Sequence, residues 1–114
     1  MSLIKNKNEI IKLDLTDSQV IEMAEQDFVY ITRYPSIKFY NDWIKAIVES
    51  QSENIDELAK SILKDEAGQP LLKTSDDVIQ HDVYEHILTR ITEYLVKSKT
   101  KISTQTAPLE SNSI

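Results

Sequence analysis

The sequence predicts an all-α protein: a small helical bundle of about four helices whose last two form a C-terminal helical hairpin. Three observations predict it. Glycine occurs once and proline three times in 114 residues, which is sparse for a β-protein that must turn often. Apolar residues recur at helical spacing through most of residues 17–95, the pattern of helices with one face turned inward. Residues that cap helix N-termini stand at the head of the periodic stretches. The expected divisions are an extended lead-in over 1–15 with a possible short N-terminal strand, a helical domain over 16–98, and a disordered polar tail over 99–114.

Taken in order, "EIIKLDL" over 9–15 alternates loosely, as a short strand or an extended lead-in would. Thr16 reads as an N-cap, and Gln19 three residues on completes a capping-box pattern. A helix from Asp17 places Val20, Ile21, Ala24 and Phe28 on one face and Glu22, Glu25 and Gln26 outside. "FVYITRY" over 28–34 is rich in β-branched and aromatic residues and reads as helix or as strand. Pro35 ends it in either case, because the residue before a proline avoids the α region.

From Ser36 the period is helical again. Ile37, Tyr40, Ile44 and Ile47 form a stripe, with Phe39, Trp43 and Ala46 beside it. Asn54 and Glu57 make a second capping-box pattern ahead of Leu58, Ala59, Ile62 and Leu63. The only glycine then falls in "DEAGQPLLKT" over 65–74. Between two helical patterns, Gly68 reads as the C′ residue that closes a helix, and Pro70 stops the helix resuming too early. That reading places the hinge of the hairpin at Gly68, with positive φ there and a helix starting near Ser75. Thr74 or Ser75 caps this last helix, and Asp76 and Asp77 fall in its first turn. Tyr84, Leu88, Ile91 and Leu95 repeat at steps of four, three and four, and Val83, Ile87 and Tyr94 widen the seam. The last 15 or so residues have no periodicity and read as the tail.

Charge and composition narrow the function. The net charge is −6, and no base falls between Lys12 and Arg33 among Asp14, Asp17, Glu22, Glu25 and Asp27. Such a surface repels phosphate backbones, so no nucleic-acid partner is expected. Lys97, Lys99 and Lys101 form the one basic cluster and suit a helix C-terminus. No apolar run approaches the length of a bilayer span, so no membrane partner is expected either. Cysteine is absent, and no apolar h-region follows the early lysines. Both fit a cytoplasmic protein.

One glycine cannot build a Walker loop, a dinucleotide fingerprint or a kinase glycine loop, so no cofactor of those classes is expected. His81 and His86 are five apart, which sets them about 140° apart on a helix rather than on one face. No metal is expected, since Asp82 with His86 and His81 with Glu85 read as solvated pairs. Asp56-Glu57, Asp65-Glu66 and Asp76-Asp77 sit where capping and solubility account for them. The sequence therefore predicts no catalytic residues and no enzyme.

The apolar faces are broader than a chain of this length can bury, and the surplus points to self-association or capture of another helix. Tyr40, Trp43, Ile47, Tyr84, Ile87, Ile91 and Tyr94 are the candidate contact residues. Each also reads as plain core.

The stretch "DELAKSILKDEAGQPLLKT" over 56–74, with "YNDWIKAIVES" before it and the helix to Leu95 after it, resembles the tail assembly chaperones of lambda-like siphophages and prophages. The shared elements are a helix bearing Ala and Leu, the acidic turn Asp65-Glu66-Ala67-Gly68-Gln69-Pro70-Leu71, and an acidic opening, Asp76-Asp77, to a final helix. The resemblance implies a non-enzymatic protein of the host cell cytoplasm that multimerises. Its implied partners are the tape measure protein, which it keeps soluble, and the tail tube protein. The alternative drawn from the carboxylate clusters is a small acidic helical inhibitor or adaptor, such as an anti-defence protein that mimics nucleic acid.

Overall fold

The computed structural model describes residues 8–74 and 77–106, and for residues 98–106 the backbone alone. The elements run β1 (Ile10–Asp14), α1 (Ser18–Ala24), β2 (Phe28–Thr32), α2 (Ile37–Val48), α3 (Ser52–Ile62), β3 (Leu63–Lys64) and α4 (His81–Thr106). The three strands form one antiparallel sheet in the order β1-β2-β3. The fold is therefore mixed α/β, which corrects the all-α expectation.

Alternation explains the sheet. Ile11 lies opposite Ile31, Leu13 opposite Val29, and Leu63 opposite Ile31. One face of all three strands is thus apolar, and the period of two turns Lys12, Tyr30 and Lys64 to the other face in a single row. Leu13, Val29, Ile31 and Leu63 are buried with Trp43, Ile62 and the α4 residues Val83, Ile87, Ile91 and Leu95 in one cluster. The choice left open for residues 28–34 is settled for 28–32 as strand. Only an extended chain can lay both Val29 and Ile31 on the helices while Phe28 and Tyr30 face away.

The helix ends differ from the expected ones. Asp17, not Thr16, caps α1, its carboxylate accepting from the backbone of Gln19 and Val20 at 2.9 and 3.2 Å. Ser36 caps α2 by accepting from the Phe39 N–H at 3.0 Å. α3 starts at Ser52, two residues before the expected Asn54 cap, and its N-cap Gln51 makes no side-chain capping bond.

The expected helical hairpin hinged at Gly68 is not formed. α3 ends at Ile62, β3 follows at once, and α4 starts at His81 rather than near Ser75. Gly68 does have φ +82°, yet it serves a chain reversal on the sheet instead of a helix end. Its N–H donates to the Asp65 carbonyl at 2.9 Å, Asp65 N–H donates to Gln69 O at 2.8 Å, and Leu71 N–H donates to Leu63 O at 3.2 Å. Pro70 bridges to Lys64 across this loop. Leu63 instead pairs with Ile31 and is completely buried there. Ser75 and Asp76, expected as cap and first turn, lie outside the described residues. Asp77 closes a loop, accepting from the Lys73 and Thr74 N–H groups at 2.7 and 2.9 Å. The α4 backbone continues to Thr106, which sets Lys97 well before its last turn; residues 107–114 of the expected tail lie outside the described residues.

Candidate functional site

The seven candidate contact residues divide between core and surface. Trp43, Ile87 and Ile91 are buried and belong to the core. Trp43 stacks on Phe39 with ring centroids 5.9 Å apart, and its indole N–H donates to Thr92 Oγ1 at 2.8 Å. Tyr40, Tyr84 and Tyr94 are half-buried against that core. The Tyr94 hydroxyl donates to the Arg33 carbonyl at 2.5 Å, tying α4 to the end of β2. The Tyr84 hydroxyl donates to Asp56 Oδ1 at 2.5 Å, tying α4 to α3. Burial, then the Asp56 hydrogen bond and charge, hold the Tyr84 phenol far above its ordinary pKa, so it is a permanent donor. Ile47 alone of the seven is exposed, at 40%.

α2 explains why. Its inward side, Phe39, Trp43 and Ala46, packs on the core. Ile37 and Val48 lie within about 20° of each other on the other side of the helix, and Ile44 between them is half-buried against the core. Ile37 is 83% exposed and Val48 75%. The sequence groups Ile37 with Tyr40, Ile44 and Ile47 in one stripe, but Tyr40 and Ile44 pack against the core while Ile37 does not, and Val48 went unnoticed. The exposed Ile37 and Val48 leave apolar surface open for another chain.

Beside that stripe α2, α3 and α4 enclose a cleft of about 320 Å³. Half-buried Ile55 and Leu88 form its floor with Thr92, and Ile47 stands at its edge. Exposed Asp56 lines it from α3 and exposed Glu85 from α4, with Ser52 and Thr89 one turn along the same two helices. The volume lies at the low end of the about 300–1,000 Å³ of ligand clefts, enough to take a few anchoring side chains of a helix lying across it. Sequence reasoning missed Ile55, Asp56 and Glu85 as a site because they come together only where α3 crosses α4.

His86 has a structural task. Its Nε2 accepts from the Thr16 backbone N–H at 3.0 Å, so the ring proton of the neutral imidazole sits on Nδ1. Together with Arg90, whose Nε donates to the Asp14 carbonyl at 2.7 Å, it fastens α4 to the joint between β1 and α1. Among the described residues no group of three or more His, Asp or Glu side chains could hold a metal ion. No helix among them is long and apolar enough to cross a membrane.

Compared with protein-family models, curated proteins and solved structures, the chain matches none.

Proposed function

We propose that this is a non-enzymatic, helix-binding chaperone of the tail assembly type, which holds apolar helical segments of a tape measure protein in the host cytoplasm until tail tube subunits assemble. One observation carries the reading: α2 leaves Ile37 and Val48 exposed, and its exposed Ile47 lines a cleft with Ile55 and Leu88. An amphipathic client helix laid there would bury apolar surface on both partners, the usual mode of helix-in-groove recognition. The net charge of −6 keeps copies of the protein, and clients coated by it, from aggregating. The resemblance over residues 40–95 supplies the tape measure protein as client and adds multimerisation. The reading rests on these surfaces and on the turn motif, and it does not need an all-α fold.

Co-expression with a tape measure protein tests it. The soluble fraction of the client should rise in the presence of the protein and fall back with the double variant Ile37→Ser, Val48→Ser. Those exposed positions should change stability by no more than about 0.5 kcal/mol each, so a lost effect reads on binding. A client that is equally insoluble with and without the protein would rule the reading out.

A further inference from the structure

The cleft and the outer stripe of α2 differ in charge. α2 carries Lys38 and Lys45 against Asp42, and Lys38 is paired with Asp42 at 2.6 Å. The cleft instead has a carboxylate on each of two walls, Asp56 and Glu85, above the apolar floor. Neither makes an ion pair with a lysine, arginine or histidine among the described residues. The hydrogen bond from Tyr84 orients the Asp56 carboxylate without neutralising it. Asp56 therefore presents a fixed negative charge, and Glu85, one residue along α4 from Tyr84, presents a second on the facing wall.

We infer that the cleft selects a basic amphipathic helix: apolar anchors at i, i+3 or i+4 spacing that fill the floor, flanked by lysine or arginine that meets Asp56 and Glu85. This rests on the helix-binding reading above and adds to it the chemistry of the partner. An apolar floor alone accepts any apolar helix. Carboxylates on both walls reward a cation and penalise an acidic helix, which would bring like charges together, so discrimination comes from attraction and repulsion at once. An exposed ion pair gives up to about fivefold in affinity. Two carboxylates that attract one helix and repel another, each well below that ceiling, separate the two by about tenfold.

The test uses the full chain and three synthetic helical peptides with the same leucine face, flanked by lysine, glutamine or glutamate. The lysine peptide should bind about tenfold more tightly than the glutamate peptide, with glutamine between, and the gap should shrink as salt is added. Because the whole protein is acidic, the decisive comparison is Glu85→Lys against Glu22→Lys. Glu22 is exposed on α1 and does not line the cleft, so both variants change net charge equally. Glu85→Lys leaves Asp56 facing a lysine, so it should collapse the order of the peptides to near-equal binding, and Glu22→Lys should leave the order intact. Equal effects of the two variants, or equal binding of all three peptides, overturn the charge selection while leaving helix binding in place. Failure of all three peptides to bind, with the client still solubilised on co-expression, also overturns the inference but spares the function. Failure of both removes both.

Discussion

Gly68 sits at φ +82°, and a Cβ built there would meet nothing within 4 Å. The cost of Gly68→Ala is therefore that of the left-handed backbone alone, about 1–2 kcal/mol, and a thermal melt should report it as a modest fall in Tm. The loop around it is also held by Asp65, whose Oδ1 accepts from Ala67 and Gln69 N–H at 2.9 and 3.0 Å. The Gln69 bond chiefly, then the Ala67 bond and Lys73, against opposing desolvation, hold this carboxyl below its ordinary 3.8. A lowered folded pKa means that the contribution is fully present above the ordinary value and is lost as pH falls through the folded one. Melts between pH 5 and pH 2 should show that loss, and Asp65→Asn should flatten that part of the profile. An unchanged profile in the variant would mean that Asp65 does not hold the turn in its charged form. The motif "DEAGQPL" was visible in the sequence as a turn with positive φ. Its role was not, because the partner strand that the turn serves lies more than 30 residues upstream.

With a single glycine, two helix ends place other residues in the left-handed region: Glu25 after α1 at φ 58° and Ser50 after α2 at φ 55°. At the second, the Gln51 N–H donates back to Ala46 O at 2.8 Å, the long bond of a Schellman motif. Ser50→Gly should relieve the strain of a side chain at that angle and stabilise the protein by about 0.5–1 kcal/mol, net of the chain entropy glycine adds to the unfolded state. Denaturant titration would show a higher midpoint at unchanged slope, and a lower midpoint would contradict the account. Elements whose signal is periodic were legible: α2 begins one residue after Ser36, where the helical period resumes, and the α4 seam buries Val83, Ile87, Ile91 and Leu95 as helical spacing requires. β3 was illegible. Two residues at the end of a helical pattern have no period of their own, and Leu63 fits the α3 face as well as the sheet.

The core of the whole molecule is the joint of sheet and helices, and Ile31 stands where they meet, fully enclosed on the central strand. Ile31→Ala removes packing from both layers and should cost about 2–5 kcal/mol. Calorimetry should record a fall in Tm about two to three times that of Gly68→Ala. A change as small as that of a surface substitution would mean the sheet does not belong to the cooperative core. At this scale the apolar surplus acquires its meaning. The sequence by itself determined which residues are apolar, that a helix follows Pro35, that a long helix carries Val83 to Leu95, and that a turn with positive φ falls at Gly68. Those properties are local or additive, set by spacing, capping and composition. Only the tertiary structure decided that residues 28–32 are a strand, that α3 gives way to β3, that Trp43 faces inward while Ile37 and Val48 face out, and that Asp56 and Glu85 share one cleft. Each of these depends on what distant chain segments offer in return. A strand is stable only beside a partner, and an apolar face is core only if another element covers it.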